Sequence, residues 1–203
     1  MANLTDTILE IASELMYKYG ISSVTMDDIA KECHISKRTL YEKIPDKRTL
    51  VWYCMLYNKE KNQQAIKDLV NESSSTLDAL LLIYRHMRNG VTNESSIFFK
   101  DMHRLYPDLE KKCREMHQEE AQSFGNFLQK GINEGMFLSN IDLSLAAQAF
   151  IFQSGAIMRY LGTTKDMLTV RKMMDTTFVV FLRGIATTKG IKIIDQFIIE
   201  NNL

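Results

Sequence analysis

Between Lys31 and Arg48 the sequence places six basic residues, Lys31, Lys37, Arg38, Lys43, Lys47 and Arg48, among three acidic ones, Glu32, Glu42 and Asp46. Six minus three leaves this window at +3 in a chain whose 25 basic and 25 acidic residues cancel. Lysine and arginine donate to phosphate oxygens and to base edges, so the chemistry on offer is nucleic-acid recognition. A charge run is commonly no more than a solvated face, and here its setting argues for more. Ser36 is a good N-cap for a helix over Lys37 to Lys43. On that helix Leu40 and Ile44 share one face at i, i+4 and can dock on Ile29 and Leu15. Lys37, Arg38, Thr39, Tyr41 and Lys43 then point elsewhere, free to donate to bases or phosphates. The helix starts at Thr25-Met26 and Ser36-Lys37 bring free N–H groups that also suit phosphate.

Other chemistries find little footing. Cys113 and His117 form an i, i+4 pair, but a metal site needs three or four converging ligands. No G-x-S-x-G, phosphate-binding loop, G-x-G-x-x-G or HExxH occurs, so neither catalysis, a cofactor nor a metal is expected. Three cysteines, Cys33, Cys54 and Cys113, form no CxxC pair and suit a reduced, cytoplasmic compartment. The longest apolar runs fall far short of the ~20 residues of a membrane span, so no membrane partner is expected. Met1 to Asp6 has neither a basic nor an apolar stretch of the signal-peptide kind.

The elements that must position these side chains are helices. Glycine at 9 and proline at 2 in 203 residues leave helices few interruptions and hairpins short of turn residues. Hydrophobic residues at 45 % and charged residues at 25 % describe a chain able to bury a sizeable core. Leu4, Ile8, Ile11, Ala12, Leu15 and Tyr19 form one apolar stripe at three- and four-residue intervals, which Gly20 ends. Thr25-Met26-Asp27-Asp28 reads as a capping box opening a short helix that buries Ile29, Ala30 and Cys33. His34-Ile35 turns the chain into the helix capped by Ser36. Pro45-Asp46 ends that helix and caps a fourth, from Lys47 to about Val70. Past a polar connector, the pattern predicts helices over 77–88, 108–133, 142–161 and 166–187, and an amphipathic stretch over 191–199. The fold class is all-α, and two short helices joined by a tight turn within the first 50 residues have the grammar of a helix-turn-helix.

Residues Val24 to Leu50 resemble the DNA-binding domain of TetR-type (TetR/AcrR-like) transcriptional repressors. The resemblance is carried by Tyr19-Gly20, the Thr25 cap, Ile29-Ala30, Ser36-Lys37, Thr39-Leu40-Tyr41 and the Pro45-x-Lys47 break, in that family's order and spacing. Arg38 departs from the small residue common there, and Ile44 from the usual phenylalanine. Gly131-x-x-x-Gly135-Met136-Phe137, followed by Asp142 and Ala146-Ala147, is similar to a turn-and-helix pattern of the same family.

The resemblance implies residues 1–50 as a helix-turn-helix DNA-binding domain, with a linking helix over 47–70, and 51–203 as a helical ligand-binding and dimerisation domain. It implies a homodimer on a palindromic operator in double-stranded DNA, released by a small-molecule effector. Tyr41 and Lys47 are then the leading phosphate contacts, and Thr25, Ser36, Lys37, Arg38, Thr39 and Lys43 complete the expected DNA-binding set. Aromatic and methionine residues of the second part point to an apolar or aromatic effector. Tyr84, His86, Met102, His103, Phe124, Phe127, Phe152 and Gln153 are its candidate ligands, although such residues at helical spacing are usually core. Ala149, Gly155, Ala156, Met174, Phe178, Phe181 and Leu182, on the last two long helices, are the candidate dimer surface. The expected function is a ligand-responsive repressor. An α-helical dimeric interaction or architectural protein with weak or nonspecific DNA binding stands as the alternative, and an activator as a further one.

Overall fold

The computed structural model describes residues 4–164 and 166–202, apart from the side chains at 93, 110, 114 and 117–119. The Cys113–His117 pairing raised from the sequence therefore lies outside the described residues. Four helices form the first part: α1 (Leu4–Tyr19), α2 (Met26–Glu32), α3 (Lys37–Lys43) and α4 (Lys47–Glu72). The remainder is α5 (Thr76–Asn89), α6 (Asn93–Leu105), α7 (Pro107–Asn133), α8 (Leu143–Leu161), α9 (Met167–Ile185) and α10 (Thr188–Asn201). The all-α expectation holds. Among the described residues no helix is long and apolar enough to cross a membrane.

Local chemistry sets the helix ends. Thr25 and Asp28 complete a reciprocal capping box at the start of α2, while Ser36 and Asp46 accept from Thr39 and Thr49 N–H groups at the starts of α3 and α4. Gly20 adopts φ 86° and donates its N–H to the Met16 carbonyl, ending α1. The turn after α2 uses a non-glycine: His34 sits at φ 54°. Its N–H reaches the Lys31 carbonyl and that of Ile35 reaches Ala30, the paired bonds of a Schellman ending. Histidine tolerates the left-handed region better than a branched residue would.

Two large apolar cores follow. The first gathers Ile8, Ala12 and Met16 of α1, Ile29 of α2, Leu40 and Ile44 of the α3 region, and Leu50, Val51 and Cys54 of α4. It does not end with the fourth helix, since Phe98 and Met102 of α6 and Leu109 of α7 are buried in it. Tyr17 stacks on Phe98 with ring centroids 4.3 Å apart. The second core joins Leu77, Leu80, Leu81 and Tyr84 of α5 to Leu128, Phe137, Ala147, Phe178, Leu182 and Ile194. A single antiparallel bridge, Phe137 to Ala186, pins the loop after α7 to the loop after α9. The Leu138 N–H to Ile185 carbonyl bond of 2.8 Å and the Thr187 N–H to Met136 carbonyl bond of 2.9 Å flank it.

Candidate nucleic-acid interface

Leu40 and Ile44 are fully buried in the first core, so the rest of α3 is forced outward. Lys37, Arg38, Tyr41 and Lys43 are exposed and Thr39 is half-buried. Arg38 projects furthest, with its side chain 89 % exposed. The small residue usual at its place in the resemblance would leave that space empty.

The basic residues are partly matched by acids. Lys37 pairs with Asp27 across the turn, Arg48 pairs with Asp108 at the start of α7, and Arg38 Nε donates to Glu42 Oε1 at 2.9 Å. All three pairs are solvent-exposed, and such pairs contribute only ~0–1 kcal/mol. A phosphate can therefore replace the acid at little cost. Lys31 and Lys43 have no ion pair among the described residues. Lys47 is half-buried at the first turn of α4; burial lowers its pKa, and Asp101 and Asp28 work in the opposite direction.

Thr25 and Ser36 turn out to be occupied. The Thr25 hydroxyl and backbone N–H both donate to Asp28 Oδ2, at 2.6 and 2.8 Å. The start of α2 thus already holds a carboxylate, which takes the place expected for a phosphate. Ser36 Oγ accepts from the Thr39 N–H at 3.0 Å and lies 2.8 Å from Thr39 Oγ1.

Residues 8–53 match the bacterial regulatory proteins of the tetR family. The span covers α1, α2, the turn, α3 and the first turns of α4, the elements just described. This N-terminal span is therefore similar to that of the tetR family. Solved structures extend the likeness to the whole fold. A transcriptional regulator from Cytophaga hutchinsonii superposes with a TM-score of 0.71 at 18 % identity, covering 89 % of this chain and 97 % of that one. The fatty acid degradation regulator FadR from Bacillus halodurans gives 0.68 at 14 % identity, over 90 % and 96 %. The ketosteroid transcriptional regulator KstR2 of Mycobacterium tuberculosis gives 0.56 at 19 % identity, over 92 % and 97 %. No curated protein sequence is significantly similar to the chain. The likeness to bacterial regulatory proteins is thus carried by the helix-turn-helix span itself.

In the rest of the chain the structure spreads the expected sites over several elements. The eight candidate effector ligands do not meet in one chamber. Met102 lies in the N-terminal core, and the His103 ring covers Gly162, where a Cβ would fall 2.5 Å from His103 Cδ2. Tyr84 is buried, stacked on Phe178 at 3.7 Å, with its hydroxyl donating to Asp175. Phe124 packs against Phe150 and Phe181, and Phe127 lines the same core. His86 is exposed, its ring nitrogen 3.0 Å from Asn62 Oδ1 on α4. Phe152, 63 % exposed, and Gln153 lie on the outer side of α8. Helical spacing grouped these residues correctly by element, but each helix has two sides and spacing does not say which one faces inward.

The same ambiguity bears on the candidate dimer residues. Phe178 and Leu182 are buried within the subunit, Phe181 stacks on Phe150 at 4.5 Å, and Met174 packs against Val91, Ile157, Leu161 and Val170. These four residues hold α9 to its own chain. Ala149 and Ala156 are exposed and Gly155 half-buried on α8. Their side of α8 also carries exposed Leu145, Phe152 and Tyr160, and α9 adds Met173 and Val180. Sequence reasoning passed over Leu145, Tyr160, Met173 and Val180. The available signal was a second apolar stripe at 145, 149, 152, 156 and 160, offset from the first.

Proposed function

We propose that this chain is a sequence-specific repressor that binds a palindromic operator as a homodimer and leaves it when a small apolar or aromatic effector binds the C-terminal helices. The observation that carries the reading is α3: a short helix with one side sealed into the core by Leu40 and Ile44 and the other presenting Lys37, Arg38, Tyr41 and Lys43. Those four and Thr39 contact bases or backbone, Tyr41 and Lys47 contact phosphates, and Thr25 and Ser36 act through the helix starts they cap. Residues 1–50, with the linking helix over 47–70, form the DNA-binding domain, and 51–203 the effector and dimer domain, working in the cytoplasm.

The exposed apolar stripe of α8 and α9 supports the dimer. Contiguous apolar surface of this kind marks interaction sites, and two-fold dimers pair like patches. The α6 helix supports the coupling. Its Phe98 and Met102 are built into the core that holds α3, and Asp101 Oδ2 accepts from the Ser22 N–H at 2.6 Å. Displacement of α6 therefore moves the helix-turn-helix. Paired recognition helices must stay one DNA turn apart, ~34–36 Å, so a shift of a few ångströms loses one half-site. The neighbours described as fatty acid and ketosteroid regulators are in keeping with an apolar effector.

The test is selection on a random DNA library at ~150 mM salt, where nonspecific affinity is weak. A palindromic motif with two half-sites is the expected result, and it provides the probe for an effector screen by release. No enrichment from folded, dimeric protein would overturn the reading.

A further inference from the structure

Away from the helix-turn-helix, the far end of α5 meets the last two turns of α10 around a cleft of about 230 Å³, lined by Tyr84, Arg85, Arg88, Asn89, Phe197 and Asn201. Three of these are already disposed by the fold. Arg88 grips Asp175 of α9 with two bonds, Nε at 2.6 Å and Nη2 at 3.1 Å, while Tyr84 donates to the same carboxylate. Asn201 Nδ2 donates to the Phe197 carbonyl at 2.9 Å, holding the end of α10 against the cleft. Arg88 and Asp175 cancel in charge. Arg85 does not: it is exposed and has no ion pair among the described residues. Among the described residues no carboxylate lines the cleft, so it carries the uncompensated positive charge of Arg85 beside the amides of Asn89 and Asn201.

We infer that this cleft binds a small organic carboxylate. A guanidinium recognises a carboxylate through its planar fork of donors, and the side-chain amides add neutral donors. Phe197 supplies an apolar wall, so an acid with a compact apolar body is favoured over a bare oxyanion. The volume lies below the ~300–1,000 Å³ of drug-sized sites, which limits the occupant to something of about benzoate size. Because Arg88 reaches α9 through Asp175, an acid here bridges α5 and α10 at the point where α9 is already attached. The site stands independently of DNA recognition, and a chain that selects no operator still binds the acid.

The test is calorimetric titration of the full chain with benzoate, acetate and inorganic phosphate, each against sodium chloride at matched ionic strength. Saturable binding is expected, with benzoate tighter than acetate or phosphate. Arg85→Gln is expected to weaken benzoate about tenfold, the loss of one charge-assisted contact, with the melting temperature of the free protein unchanged. Lys192→Gln, an exposed change on α10 outside the cleft, is expected to leave binding intact. Phosphate tighter than benzoate, binding no stronger than that of chloride, or benzoate affinity indifferent to Arg85→Gln would each overturn the assignment.

Discussion

The helices at the two ends of the chain spend their apolar residues differently. Those of the helix-turn-helix send one apolar side each into the same core, Ile8, Ala12 and Met16 from α1, Ile29 from α2 and Leu40 from α3, and their outer sides are largely polar, with Tyr19 and Tyr41 among the exceptions. In α8 and α9 both sides are apolar. Phe178 and Leu182 turn inward while Phe152 and Val180, 63 % and 66 % exposed, turn out. A helix with one apolar side declares its own orientation. A helix with two leaves one side apolar and exposed, and that second side is the one the proposed dimer would cover.

The largest effect separates the two sides of α9. Phe178→Ala is expected to cost about 3–5 kcal/mol of stability, because the ring is stacked on Tyr84 and buried. Val180→Ala, two residues away, is expected to stay within about 0.5 kcal/mol in the monomer. Val180→Asp is instead expected to shift the proposed dimer toward monomer in sedimentation. Urea denaturation of the three variants checks the contrast, and equal costs for Phe178→Ala and Val180→Ala would erase it.

Next in size is a comparison of ion pairs. Asp175 accepts from both Arg88 and Tyr84 and is only 14 % exposed at its side chain, whereas Asp27 faces Lys37 in open solvent. Asp175→Ala strands a half-buried guanidinium and is expected to cost on the order of 2 kcal/mol. Asp27→Ala is expected to cost less than about 1 kcal/mol, and to make the α3 face more basic. The same pair of denaturation curves decides it. A large loss at Asp27 would mean that the α2–α3 turn depends on its surface charges rather than on its core.

This division explains what was legible in the sequence. Caps are local: Thr25, Ser36, Asp46 and Asp142 each act on an N–H three residues on, so their spacing sufficed to place the starts of α2, α3, α4 and α8. The exposed side of α3 followed from Leu40 and Ile44 alone. The α8–α9 surface did not follow, because Phe178 and Val180 are equally apolar and only tertiary packing sorts them. The α5–α10 cleft was out of reach for a related reason. Tyr84, Asp175 and Phe197 lie far apart along the chain, and nothing near any one of them announces the others. Even in the N-terminal domain, the Ser22–Asp101 and Arg48–Asp108 contacts to α6 and α7 were invisible for that reason.

Acid is expected to act on the caps and on those contacts together. The Thr25 hydroxyl holds the Asp28 carboxyl below the usual 3.8, and the Thr49 N–H does the same for Asp46. Burial pushes Asp101 upward, yet the Ser22 N–H and hydroxyl and the Arg104 guanidinium outweigh it and leave it lowered as well. A carboxyl with a depressed folded value stabilises the fold fully above its unfolded value and loses that contribution as pH falls through the folded one. Melting temperature is therefore expected to be flat from neutrality to about pH 5 and to drop below the usual carboxylate value. Asp101→Asn should shrink that drop, since one titrating group is removed. An acid limb unchanged by Asp101→Asn would show that the α1–α6 contact is not part of it.

The smallest expected effect is the most specific to DNA. Lys47 sits in the first turn of α4, half-buried, with Asp28 and Asp101 favouring its charged form against the pull of burial. Burial leaves it less room to move than Arg38, a long side chain almost wholly in solvent. A half-buried cation beside α3 suits phosphate, which is the same at every base pair, while an exposed guanidinium held only by its solvent-facing pair with Glu42 can turn to guanine O6 and N7. Lys47→Ala is expected to weaken binding to all sequences alike and to flatten the plot of log affinity against log salt by about one unit. Arg38→Ala is expected to relax preference at one position of each half-site as well. Salt titrations of both variants on the selected operator and on a scrambled duplex separate the two roles. Should Lys47→Ala change base preference with the slope intact, the division between half-buried and exposed cations would be reversed, and Lys47 would be the residue that reads sequence.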